Sequence, residues 1–175
     1  MEVELVSARD PLIGERVDVA AIFSAHHLGL VRLALIMVGD RATAEDVVQE
    51  AFTRTHEGRA RLRDPDRALA YVRSAVLNGC RSVLRRRAAV LRRGVPHEAP
   101  VWSAENAALA GEEHREVLVA LQSLPPRQRE ALTLRYYLDL SDTQIARTMG
   151  IGASSARSAI ARGLAALSRV LKEET

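Results

Sequence analysis

The chain has 175 residues, with 25 Lys+Arg against 22 Asp+Glu and a net charge of +3. That length accommodates two small helical domains, or one of ordinary size with long arms, and is too short for most multilayered enzymes. With Cys80 as the only cysteine, no intramolecular disulfide and no multi-cysteine zinc site can form, which fits a reducing cytoplasm. The most apolar stretch, 28–38, contains Arg32 and is shorter than a membrane span, and the acidic, mixed N-terminus does not read as a signal peptide. A cytoplasmic chain without membrane insertion is therefore expected. Lys172 is the only lysine, so the positive charge sits on arginine, whose planar fork suits phosphate and guanine; a GC-rich genome gives the same bias.

Apolar residues make up 47% and aromatics 3%, with few alternating β-branched runs, so an all-α protein is expected. Residues 1–18 carry Pro11 and Gly14 without periodicity and read as a flexible leader or arm. A first helix is expected over 19–38, with Ile22, Phe23, His26, Leu30, Leu33 and Met37 on one stripe and Gly39-Asp40 at its end. Thr43 is the expected cap of a second helix, with Asp46 in the capping-box position and Val47, Val48, Ala51, Phe52 and Thr55 inside; Gly58 closes it. A loop then leads into a long helix over 67–93, with Leu69, Val72, Val76, Cys80, Val83 and Leu84 inward. Together 19–93 form a first domain. Gly94, Pro96 and Pro100 mark 94–103 as an interdomain linker, in which Trp102 stands alone. Helices over 104–124, 126–137, 141–149 and 153–172 form a second domain, 104–175.

Ser141 as a cap, a short helix to Met149, a turn at Gly150 and a helix from Ala153 form a helix-turn-helix. On its second helix Ala156, Ile160, Leu164, Leu167 and Leu171 share one face by the helical period, and Ser155, Ser158, Arg162 and Arg169 share the other. Small hydroxyls and arginines permit close approach to a major groove, and the five basic residues between Asp142 and Glu173 face no acid in that stretch. A hairpin with a solvated charged face gives the same pattern. In the long helix, eight arginines occur over 67–94 without Asp or Glu, which repels itself unless an anion is present. Tyr71, Asn78, Arg85 and Arg92 recur every seven residues, an arrangement that suits a single strand through stacking, base-edge and phosphate contacts. Asp46, Gln49 and Glu50 make an acidic patch opposite Val47, Ala51 and Phe52, which is either an ordinary solvated face or a seat for a basic protein surface. His26, His27, His56, His97 and His114 are scattered outside any catalytic or metal motif, so no catalytic residue, metal or cofactor is expected.

The order of the pieces carries a resemblance. Ala44-Glu45-Asp46-Val47-Val48-Gln49-Glu50-Ala51-Phe52, Ala70-Tyr71-Val72 leading to Asn78 and Arg85-Arg86, Leu124-Pro125-Pro126-Arg127-Gln128-Arg129-Glu130, and the stretch 150–167 occur in sequence across a Pro-containing linker. This arrangement, over about 19–171, resembles the extracytoplasmic-function (ECF) sigma factors of the sigma-70 family, and Leu134-Arg135-Tyr136-Tyr137 looks like their actinobacterial members. The resemblance implies a two-domain, all-α initiation factor without enzyme activity that binds core RNA polymerase and promoter DNA. Asp46, Gln49 and Glu50 match the face for the clamp helices of the largest subunit. Arg61, Arg63 and Arg67 with the loop around them, Tyr71 and Asn78 match the pocket for a base flipped from the minus-ten element, and Arg81, Arg85 and Arg86 match contacts along that strand. Ser154, Ser155, Arg157, Ser158 and Arg162 match the helix that reads the minus-thirty-five element, with the apolar side of the second domain on the polymerase flap. An anti-sigma protein that clamps both domains is a further partner of this class.

Four positions depart from the family pattern: Tyr71 is commonly Trp, Ser82 stands where Asp is frequent, Gly152 replaces Ser or Pro, and Ala159 replaces Arg or His. Ala159 is thus expected to remove a base or phosphate contact, and Gly152 to loosen the helix start by up to about 1 kcal/mol. The competing reading is a dimeric helix-turn-helix regulator of an operator. It accounts for the C-terminal helices and leaves the acidic patch, the acid-free arginine helix and the linker without a role.

Overall fold

A computed structural model describes residues 17–57, 64–94 and 115–173. Helix α1 (Val19–Val38) starts at Asp18, whose carboxylate accepts from the amides of Ala20 and Ala21 at 2.9 and 3.1 Å. It ends at Gly39, where φ is 86°, a left-handed turn that glycine adopts without a Cβ penalty. The expected stripe describes only its first half. From Leu30 to Val38 every residue but Arg32 is buried, because helices from both ends of the chain pack around it. By length and composition α1 meets the requirement for a membrane span, contrary to the expectation from 28–38 alone; ten of its 20 residues are buried inside the fold.

Helix α2 (Arg41–Glu57) begins earlier than expected. The cap is Asp40, which accepts from the Thr43 amide at 2.8 Å, and Thr43 lies within the first turn. The reason is the turn at Gly39, which delivers the next residue directly to the helix entrance, where a carboxylate is a preferred acceptor. Asp46 accordingly faces outward instead of closing a capping box. Val47, Val48, Ala51, Phe52 and Thr55 are buried as expected. Helix α3 (Pro65–Arg92) starts with Asp64 as cap and Pro65 in the first turn, and Ala68, Val72, Val76, Leu77 and Cys80 form its buried face. It crosses α2 closely: a Cβ on Gly79 would lie 2.8 Å from Val47 Cγ1.

Beyond the linker, α4 (Arg115–Ser123) and α5 (Pro126–Leu132) are joined at Leu124-Pro125. The expected single helix over 126–137 widens into a π-helical segment, Thr133–Tyr137, which sets Tyr136 in solvent and brings the Tyr137 hydroxyl within 2.9 Å of the Gly29 carbonyl on α1. Helix α6 (Asp142–Met149) has a full capping box between Ser141 and Gln144, Gly150 turns at φ 65°, and α7 (Ala153–Glu173) follows. Of the expected linker only Gly94 is described; Trp102, all of 104–114 and the leader before Val17 lie outside the described residues.

The two halves share a core. Leu134, Ile145, Ala146 and Ala156 join the apolar cluster of α1–α3, and Ile36 of α1 joins a second cluster with Leu118, Leu121, Leu124 and Leu132. Between α5 and α7 the approach is again glycine-dependent, since a Cβ on Gly163 would lie 3.0 Å from Leu132.

Candidate nucleic-acid and protein interfaces

The outer side of α3 presents Tyr71, Asn78, Arg85 and Arg92, all exposed. Their seven-residue spacing keeps them on one line, away from the buried stripe. Arg86 is exposed beside them, and Arg67, also exposed, lies 3.7 Å from Asp64. The Arg85 guanidinium donates to Ser82 Oγ at 3.1 Å, so the hydroxyl at the position expected to carry an acid orients a base. Arg61 and Arg63 and the loop around them lie outside the described residues.

Not every arginine of this helix faces outward. Arg87 donates to the Val38 carbonyl and pairs with Asp40, joining the carboxyl end of α1 to the cap of α2. Asp40 loses hydration there, which favours its neutral form, but hydrogen bonds from Thr43 and Arg87 outweigh that and hold its pKa below the ordinary value. Arg81 turns towards the second half. It donates to Glu130 Oε1 on α5, from Nε at 2.9 Å and from a terminal nitrogen, to the Thr148 carbonyl at 2.8 Å, and to Asn78 Oδ1 at 2.8 Å. Asn78, Arg81 and Arg85 thereby form one wall of a cleft of about 550 Å³, whose other wall includes Arg127, Glu130 and Met149.

On α2, Asp46, Gln49 and Glu50 are all exposed, and Glu50 pairs with Arg54 at 2.7 Å. Asp46 and Glu50 also border a groove of about 430 Å³ with Asn78 and Arg86, so the acidic face and the basic helix meet along one edge. Ser154, Ser155, Arg157, Ser158 and Arg162 of α7 are exposed together, whereas Ala156 and Ala159 are buried and pack inward. Burial of Ala159 corrects the expectation drawn from its identity: this position faces the protein, so its small side chain removes no outward contact. Leu164, placed inward by periodicity, is exposed, and Gly163 takes the inner position against Leu132.

Gln122, Arg129 and Glu130 supply contacts between the halves that the sequence does not mark. The Arg129 guanidinium is buried among carbonyls, donating to Met37 O at 2.7 Å and to Gln122 and Leu124; burial, with the nearby charge of Arg87 adding to it, lowers its pKa to about 10. Gln122 donates to Ile36 O at 2.6 Å. These contacts span 86 and 92 residues of chain, and no local pattern announces them. Among the described residues no group of three His, Cys, Asp or Glu is placed to hold a metal ion.

Comparison with known proteins bears on these surfaces. Residues 22–90 match the Sigma-70 region 2 family and residues 114–167 match Sigma-70, region 4. The chain is 33% identical over 150 residues to the probable ECF RNA polymerase sigma factor SigI of Mycobacterium tuberculosis, covering 79% of this chain and 50% of that protein. It therefore spans about half the length of that relative. To the ECF RNA polymerase sigma factor SigM of the same species it is 30% identical over 168 residues, covering 96% of this chain and 83% of SigM. The chain belongs to the ECF sigma factors. The same fold occurs in the sigma factor RpoE of Bartonella quintana, solved in complex with the anti-sigma factor NepR: TM-score 0.66, 22% identity, 87% of this chain and 97% of that one. In this ECF sigma factor α1–α3 lie within or overlap the region 2 match, and α4–α7 the region 4 match.

Proposed function

We propose that this ECF sigma factor binds core RNA polymerase and directs promoter recognition, promoter melting and transcription initiation in the cytoplasm, while the polymerase performs all chemistry. One observation carries the reading: both sigma-70 regions occur in order on one chain, with Asp46, Gln49 and Glu50 exposed on α2, Tyr71, Asn78, Arg85 and Arg86 on α3, and Ser154, Ser155, Arg157, Ser158 and Arg162 on α7. Residues 19–93 act as the core-binding and minus-ten domain, 104–175 as the minus-thirty-five domain, and 94–103 as the tether. Asp46, Gln49 and Glu50 dock on the clamp helices of the largest subunit, where exposed carboxylates and an amide meet a basic surface. Tyr71 and Asn78 receive an unstacked base, with Arg67, Arg81, Arg85 and Arg86 along the strand; Arg61 and Arg63 complete that contact. Ser154, Ser155, Arg157, Ser158 and Arg162 read the duplex of the minus-thirty-five element, while the apolar side of 104–175 rests on the flap. The complex formed by the RpoE relative supports an anti-sigma protein as a further partner.

The test is transcription from a library of fragments of the source genome by core polymerase with and without this chain. Discrete new start sites sharing a pair of upstream elements are expected; no stable complex with core returns the chain to an operator-binding regulator. Reversing charge with Asp46→Arg and Glu50→Arg should abolish core binding while the helical circular dichroism stays unchanged. Retained binding would remove the clamp assignment. Asn78→Ala should slow strand opening more than it weakens promoter binding, read with a fluorescent base in the minus-ten element.

A further inference from the structure

Arg81 is assigned above to the minus-ten strand, yet here its guanidinium is occupied by the second half of the chain. Its bonds reach the Glu130 carboxylate and the Thr148 carbonyl, and one more ties it to Asn78. The side chain of Glu130 is 7% exposed and that of Arg81 28%, so this pair is much less screened than a surface bridge. A strand phosphate and Glu130 would compete for the same guanidinium.

We propose that the chain carries its own latch: Glu130 of α5 holds Arg81 of α3 and keeps the strand-binding face partly covered until the two halves part. This rests on the assignment of Arg81 to the strand. The rest of the junction combines polar donors with apolar packing. Gln122 and Arg129 donate to the Ile36 and Met37 carbonyls at the carboxyl end of α1, groups that water satisfies equally once exposed. A cation is favoured at that end by the helix dipole, so docking is stabilised without a second carboxylate. Apolar contact across the junction comes from Leu134, Ile145, Ala146 and Ala156 with their partly buried neighbours, and from Ile36 against the second cluster. Because a phosphate and Glu130 exclude each other on Arg81, strand binding favours the parted form, and anything that weakens the latch raises strand affinity.

The experiment uses the full chain without polymerase. Spin labels on Ala42→Cys and Ala165→Cys, both exposed positions, report the distance between halves, and Cys80 is buried, so it leaves the labelling specific. Glu130→Gln keeps the side-chain shape and removes the charge; thermal unfolding followed by circular dichroism establishes that it is folded. The expected result is a longer and broader distance distribution than in the parent, with about tenfold tighter binding of a 20-nucleotide fluorescent single strand, if the competent fraction rises from about a tenth to most of the molecules. That gain should vanish in Glu130→Gln with Arg81→Ala. An unchanged distance distribution in Glu130→Gln overturns the latch. A lengthened distance with unchanged strand affinity keeps the latch and removes Arg81 from the strand contact.

Discussion

Single atoms decide two features of this molecule. At Gly79 a methyl group would press on Val47 at 2.8 Å, and the Val47 side chain is held in the α2–α3 core, so it cannot swing aside. Gly79→Ala should cost about 1–3 kcal/mol, read as a fall of about 2–4 °C in Tm per kcal/mol; adding Val47→Ala should recover part of it. At Cys80, burial first and then the charge of Glu130 push the thiol pKa up to about 12, from 9.0. The folded state therefore keeps its proton where the unfolded chain loses it. That contribution to stability is complete below about pH 9 and is lost as the pH rises towards 12. The native protein should resist a thiol reagent at pH 8 that modifies the urea-unfolded chain at once; rapid native labelling would show that the core opens.

At the scale of elements, periodicity and capping residues made most helix spans legible, because both are local. The start of α2 is not legible for the same reason. Thr43 fits a cap on composition, but Asp40 occupies the position once Gly39 has turned the chain, and Arg87, 47 residues away, fixes the carboxylate. Asp40→Ala should destabilise by about 1–2 kcal/mol, and Asp40→Asn, which retains a capping oxygen, by less. Since hydrogen bonds hold the Asp40 pKa below its ordinary value, its contribution is present above the unfolded pKa and is lost as pH falls through the folded one. A urea-midpoint titration below pH 5 should therefore fall more steeply in the parent than in Asp40→Asn. The exposed sets on α2, α3 and α7 were legible as patterns of residue type. The inward turn of Arg81 and Ala159 was not, because an arginine or alanine at a helical position does not reveal which neighbour the fold will bring to it.

For the whole molecule, a linker between two families of helices reads as two independent bodies, whereas the described residues pack through a common core. The donors that make the difference, Gln122 and Arg129, lie far along the chain from the carbonyls they satisfy. Arg129→Met should leave the Met37 carbonyl and Gln122 short of a partner at a cost of about 1–3 kcal/mol. Calorimetry should then show the single transition of the parent separating into two; a single transition with unchanged midpoint would mean that the carbonyl end of α1 contributes nothing to coupling.

Helix α7 meets the body of the protein through an inner side on which Ala156, Ala159 and Gly163 allow close approach and Ile160 and Leu167 pack against the core. Its packing is thus insensitive to what its outer positions carry. If that outer face reads promoters, lineages can exchange Ser154, Ser155, Arg157, Ser158 and Arg162 for other side chains and acquire new target genes with little disturbance of the scaffold. Transplanting the five residues from a relative should likewise transfer its promoter vocabulary.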